Sequence, residues 1–385
     1  MDDQVEVHFQ TDLGEDWQVS ESYWINTSSG KTELQDIILQ HLNKQANLML
    51  LLNGDIITNS LEEHMRTQGL STEQKIEIWF SIEIPPPSSL GEIQHDDWIS
   101  CVQLTSQGCF VSDYGGFLAL YNENQEEIIK NQIFSHPIKS IDFNENSNLL
   151  IASSKTGDIK IYNFQENSLE ESAFSHIKHI EKVTSNPSGS MWAVGTYSGE
   201  INLAKINEET ANIRDGTKKQ RLDKFNIEIN QLNLPHTDCI TGLKWPSLDL
   251  LLTSSTDHSI MAVDLETQSV ISSILAPRSI QAFNVFENNI AAGFENGLTQ
   301  LYDYRNSQKI ALLEGKSWVR AISMKDLYIA VGHENGNLRF FDRRSVKSPL
   351  HTIEAHQGKV LTTDWLNSII SSGGSDSIVK YHTFS

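Results

Sequence analysis

Residues 5–10, Val-Glu-Val-His-Phe-Gln, alternate apolar and polar, the period of a strand with one buried face. After Gly14-Glu15-Asp16, residues 18–25 continue with aromatic and β-branched positions, so an opening hairpin is predicted. The spacing then changes. Leu34, Ile37, Ile38 and Leu42 fall on one stripe at helical spacing, and Thr32 is the expected cap. Leu48–Leu52 is an unbroken aliphatic run short enough for a strand buried on both faces, and Asn53-Gly54-Asp55 is a tight turn into Ile56-Ile57. A short helix is predicted over Leu61–Gln68, with Gly69 as its left-handed stop. Residues 75–84 alternate again as a last strand.

Pro85, Pro86 and Pro87 end this pattern, because three residues without backbone donors fit neither a central strand nor a helix interior. They read as a semi-rigid spacer between two domains. The order ββαββ, with a short helix before the closing strand, is that of a ubiquitin-like roll, an α+β domain expected over residues 1–84.

Beyond the prolines the pattern acquires a period. His95, His136 and His176 are spaced by 41 and 40 residues, His236 follows after 60 and His356 after 120. Read as repeat starts, these give seven units with one insertion, units five and six beginning near Pro277 and Lys316 where the histidine is absent. Each unit holds an apolar strand, a second strand rich in Ala, Val, Ser and Gly, a tight turn such as Thr156-Gly157-Asp158 or Glu334-Asn335-Gly336, and a third strand ending near Asp or Asn. A repeat of about 40 residues with several short strands is the signature of WD-repeat propeller blades. The closing Trp-Asp is degraded, to Tyr302-Asp303 and Phe341-Asp342 at best. An all-β, seven-bladed WD-repeat propeller is therefore expected over 95–385, preceded by a linker at 85–94. Residues 88–94 are the candidate strand to close the ring, since the last unit ends directly after its third strand. The repeat-start histidines are expected in buried networks that fix blade geometry, with His236, Ser254, Asp257 and His356, Ser372, Asp376 as sets. The insertion is placed between units three and four, at about 207–235, where Lys218, Lys219 and Arg221 form a basic cluster suited to an RNA contact or nuclear import.

Charge sharpens the division. The net charge is −21; residues 1–85 hold fifteen Asp or Glu against Lys31, Lys44, Arg66 and Lys75, a net of −11, which leaves −10 for the remainder. The first domain thus repels phosphate backbones and presents carboxylates to cations or basic proteins. No apolar run is long enough to cross a membrane, and Met1-Asp2-Asp3 lacks the basic flank and apolar run of a secretory signal, so an intracellular location is expected. Cys101, Cys109 and Cys239 are odd in number and lack metal-ligand spacing. Gly30-Lys31-Thr32 ends like a phosphate-binding loop, but Ile25 stands where that loop needs glycine. No catalytic constellation emerges, and the chain is expected not to be an enzyme. The stretch Gly69, Leu70, Ser71, Thr72, Glu73 does carry chemistry: two hydroxyls and a carboxylate in one loop are the hard oxygen donors that divalent cations prefer.

The acidic domain with its Gly-Leu-Ser-x-Glu loop, the Ile84–Pro87 run and His95-Asp96-Asp97-Trp98 at the head of the repeats together resemble the Notchless-like (NLE) domain WD-repeat proteins of ribosome assembly. Seven units point within that group to the WD-repeat subunits of the pescadillo, block-of-proliferation and WD-repeat complex (PeBoW). The resemblance implies a non-catalytic factor of the nucleolus and nucleoplasm, acting in pre-rRNA processing on large-subunit pre-ribosomes. It implies that the propeller binds the block-of-proliferation protein and, through the complex, pescadillo. It further implies that the ubiquitin-like domain docks through Gly69–Glu73 on the metal-ion-dependent adhesion site of midasin, an AAA ATPase whose pulling releases the complex. Glu73 would then ligate in trans a magnesium ion that midasin holds, with no cofactor of the chain's own. One alternative stays open: Tyr302-Asp303-Tyr304-Arg305 and Phe341-Asp342-Arg343-Arg344 resemble the boxes by which some propellers serve cullin ubiquitin ligases as substrate receptors.

Overall fold

The computed structural model describes residues 3–211, 222–345 and 348–384. Two units meet in sequence between Pro86 and Pro87. In the first, β1 (Gln4–Gln10) and β2 (Ser22–Asn26) form the predicted hairpin, Val5 opposite Ile25. β1 also pairs in parallel with β5 (Ile76–Ile82), which pairs with β3 (Leu48–Leu52), and β3 carries the short β4 (Asp55–Ile56). The sheet order is β2-β1-β5-β3-β4. Val5, Val7 and Phe9 point into one core with Leu48, Leu50, Ile78 and Phe80, as the period of two requires. Helix α1 (Lys31–Leu42) covers that core with Leu34 and Ile38, and Ile37 and Leu42 pack on it partly buried. The helix begins earlier than expected. Gly30, not Thr32, is its N-cap, because an isolated bridge to Ser60 already holds Gly30 extended.

The second unit is built of antiparallel four-stranded sheets, seven among the described residues, consistent with a WD propeller. Their first strands start at Ile99, Ile138, Ile180, Ile240, Ile280, Val319 and Val360, each with no exposed surface. Successive first strands lie side by side, and that of the last sheet lies against that of the first. The contact is a β-branched side chain seated on the next element's backbone: a Cβ at Gly195, Gly293, Gly332 or Gly373 would run into Ile240, Val319, Val360 or Ile99 respectively. In the seventh sheet the outer strand is β6 (Ser88–Gln94), paired with Ile378–Thr383 so that Ile93 faces Val379.

The extra residues of the third sheet fall within its own two outer strands. Ile201–Ala211 and Leu222–Leu232 are the third and fourth strands of that sheet, paired along their whole length, whereas Met191–Thr196 accompanies only Ile201–Lys205. The insertion placed between units three and four thus lengthens the two outer strands of the third sheet; a count of repeat lengths does not show where in the unit the surplus falls. Lys218, Lys219 and Arg221 lie outside the described residues.

Polar side chains near the end of the first strands staple sheet to sheet. Gln103 donates to Phe143 O at 2.9 Å and accepts from Phe143 N at 2.7 Å. Asp142 accepts from Ser185 N at 2.7 Å, Asn284 donates to Ile322 O at 2.8 Å, and Asp364 accepts from Leu104 N at 2.7 Å. The last of these joins the seventh sheet to the first. Burial pushes the Asp364 carboxyl above the ordinary range, against the Leu104 N–H and the Lys244 charge, which pull it down. A carboxyl with a raised folded pKa binds its proton more tightly folded than unfolded, so its own contribution improves as pH falls through the folded value. Asp364→Ala will destabilise the ring by about 1–3 kcal/mol by orphaning the Leu104 N–H. Asp364→Asn keeps an acceptor and removes the pH term, so at neutral pH it will be at least as stable as the parent. Urea denaturation of the three chains checks this; equal loss in both variants would refute the staple.

Candidate functional site at the Gly69–Glu73 loop

Helix α2 (Leu61–Gln68) starts at Ser60, whose hydroxyl accepts the Glu63 N–H, and buries Leu61 and Met65. Gly69 follows at φ 67°, ψ 28°, the left-handed conformation in which a Cβ is strained. With its N–H on Arg66 O and that of Leu70 on Met65 O, the turn satisfies carbonyls the helix end leaves open. Leu70 packs on the domain core and Ile76 opens β5, so both ends of the loop are anchored. Between them Ser71 accepts the Glu73 N–H on its hydroxyl at 3.2 Å, and its carbonyl accepts the Gln74 N–H at 3.2 Å. Ser71 and Glu73 are exposed and Thr72 half-buried. The Glu73 carboxylate makes no hydrogen bond or ion pair among the described residues. Its backbone is fixed while its oxygens face solvent, which is what a ligand donated to an outside cation needs. No cluster of three or more metal-ligating side chains occurs among the described residues.

The histidines of the second unit divide. His356 follows the sequence reading: Nε2 lies 2.9 Å from Ser372 Oγ and Nδ1 3.0 Å from Asp376 Oδ1. His236 reaches Asp257 at 3.0 Å, but its Nε2 partner is Thr253 at 2.8 Å, not Ser254, which turns to Thr241. Successive strand residues point to opposite faces. The hydroxyl lies four residues before the aspartate in both networks, as at Ser372 and Asp376, a spacing that identifies Thr253 and excludes Ser254. His95 bonds Asp113 and Tyr121 at 3.4 and 3.1 Å, partners the sequence reading missed. His136 is exposed, and His176 bonds Asp158, its register partner on the neighbouring strand, while half in solvent. All these contacts hold turns in place.

Arg305 and Arg344 each engage the aspartate two residues earlier, Arg305 Nε at 3.0 Å from Asp303 Oδ1 and Arg344 Nε at 3.0 Å from Asp342 Oδ1. These contacts close the arginines' own turns.

Residues 129–163 match the family model described as "WD domain, G-beta repeat". That match begins inside the outer strand of one sheet (Glu127–Gln132) and ends in the third strand of the next (Asp158–Gln165). Along most of its length the chain is similar to curated proteins named "Ribosome biogenesis protein WDR12 homolog". It is 25% identical over 375 residues to that of Drosophila persimilis, covering 92% of this chain and 88% of the relative. It is 26% identical over 351 residues to that of Aedes aegypti (86% and 82%), and 26% over 401 residues to that of Drosophila mojavensis (98% and 94%).

Proposed function

We propose that this chain is a non-catalytic assembly factor for the large ribosomal subunit, a ubiquitin-like domain joined to a seven-bladed WD-repeat propeller. The observation that carries the reading is the similarity to proteins named for ribosome biogenesis, which extends through both units rather than the repeats alone. The ring is the binding platform for the block-of-proliferation protein and, through it, pescadillo and the pre-ribosome, in the nucleolus and nucleoplasm. The small domain is the handle. Glu73, anchored by its backbone and unpaired at its carboxylate, gives one oxygen to the octahedral shell of a magnesium ion held in midasin's adhesion site, with Gly69 to Thr72 shaping the loop. Force from ATP hydrolysis then passes through that bond into the complex.

The test is binding of the full chain to the isolated midasin adhesion domain, with magnesium and with chelator. Binding will require magnesium and will be lost in Glu73→Ala, whose stability will match the parent to within about 0.5 kcal/mol because the carboxylate makes no hydrogen bond or ion pair among the described residues. Glu73→Asp, which shortens the reach by one methylene, will bind weakly. Binding that ignores both chelator and substitution would sink the metal-bridged handle and leave the assembly reading to stand on the ring.

A further inference from the structure

The second and third sheets share a surface to which none of these roles has been assigned. At the end of the ring where the first strands begin, the turn after Ser154 and the segment before Ile180 are tied together by Ile177 N–H donating to Gly157 O at 2.9 Å. The next turn is tied in turn by Tyr197 N–H donating to His179 O at 2.8 Å. These two bonds bring Lys155, Lys178, His179 and Tyr197 into one neighbourhood, all exposed, Tyr197 to 62%. Lys182, also exposed, lines with Tyr197 a cleft of about 390 Å³ reaching Thr256 and Gln281. Of the acids here, Glu181 is held by Lys139 at 2.7 Å, Asp158 is held by His176 at 3.1 Å, and Asp238 also lines the cleft. Lys155, Lys178 and Lys182 make no ion pair among the described residues. Three cations without an ion pair among the described residues thus stand beside a presented aromatic ring, in a stretch of chain after residue 85 whose net charge is −10.

We propose that this patch binds single-stranded RNA, with phosphates on Lys155, Lys178 and Lys182 and a base stacked on Tyr197. Cations spaced along a track fit a phosphate backbone, and a ring standing clear of its neighbours gives a base its π-face without needing a sequence. The net negative charge of the unit opposes a polyanion at long range, so the contact is local and strongly dependent on salt. About three phosphates on a single strand give a slope of log affinity on log salt near −2. The proposal is independent of the role given to Glu73.

The experiment follows a fluorescently labelled oligouridine by anisotropy as the full chain is added, across a salt series. Lys178→Glu with Lys182→Glu will weaken binding by at least about tenfold and flatten the salt slope by more than one. Tyr197→Ala will weaken it by about 5- to 100-fold with the slope unchanged, since stacking releases no counterions. Reversal of Lys218, Lys219 and Arg221 to Glu will leave the patch's share of the binding intact, and all variants will keep the parent's thermal midpoint. The proposal is overturned if the chain does not bind the oligouridine or if the double reversal changes nothing. It is also overturned if reversing the insertion cluster alone abolishes binding, or if an oligoglutamate peptide binds more tightly than RNA with the same dependence on Lys178 and Lys182, the mark of an acidic protein partner.

Discussion

A chain beginning at Pro87 will fold its ring, and one beginning at His95 will not. The difference is β6 (Ser88–Gln94), the outer strand of the seventh sheet. Without it the whole edge of Ile378–Thr383 is left unpaired. The ladder lost comprises six register pairs from Ile378 opposite Gln94 to Thr383 opposite Ser88. At about 1 kcal/mol net for each hydrogen bond lost, the deficit is several kcal/mol before Ile93 is withdrawn from its packing against the core of Val102, Val111, Tyr121 and Val379. Domains have about 5–15 kcal/mol in all, so the loss is comparable with the entire stability. It also falls where the start and the end of the repeat region meet in the ring. The shorter chain will lose its near-ultraviolet circular dichroism or aggregate through the bare edge, and the longer will melt cooperatively. Equal melting of the two would mean that β6 is an ornament of the ring.

That boundary shows where sequence reading reached and where it stopped. The repeat was legible from the spacing of the histidines and from the recurring apolar strand, tight turn and third strand, and the hairpin, the buried strand Leu48–Leu52 and both helices of the first unit were legible from their periods. The phase of the repeat was not. Histidines mark the turn before the first strand, so the repeat was taken to start at His95, whereas the family match at 129–163 begins in the outer strand of the preceding sheet. In that phase Ser88–Gln94, the candidate closing strand, is the outer strand of the seventh sheet. The Gly69 turn was legible because positive φ demands a residue without Cβ. The Ser71 hydroxyl bonding the Glu73 N–H could be named as chemistry but not as geometry, since Ser-Thr-Glu occurs in many loops. The staples at Gln103, Asp142, Asn284 and Asp364 were not foreseen. They are polar positions inside apolar strands, and only the placement of the next sheet turns them from defects into joints.

Acidification will destabilise the ring well before its exposed carboxylates titrate. His382 is buried on the third strand of the seventh sheet with Nδ1 lacking a hydrogen-bond partner among the described residues. Burial, with the nearby His356 and Lys380 charges, pushes its pKa down to about 4. Burial likewise lowers His236, His333 and His356, outweighing Asp257, the Ser317 carbonyl and Asp376, which pull them up. An imidazole held neutral in the fold and protonated when unfolded makes the unfolded state the proton acceptor. Stability therefore falls as pH drops below about 6.5, and for His382 the loss completes near its folded pKa and amounts to about 3 kcal/mol. Asp142 and Asp364, raised by burial, act in the opposite direction, while Asp257, whose hydrogen bonds outweigh its burial and lower it, acts with the histidines. The net is loss. Urea denaturation of the chain from Pro87, at neutral pH and at successive steps below it, will show a falling unfolding free energy. In His382→Gln the slope will be shallower by up to one proton, about 1.4 kcal/mol per pH unit. Parallel slopes for the parent and the variant would mean that water or a rearranged partner reaches the ring of His382 and that its burial does not set its charge.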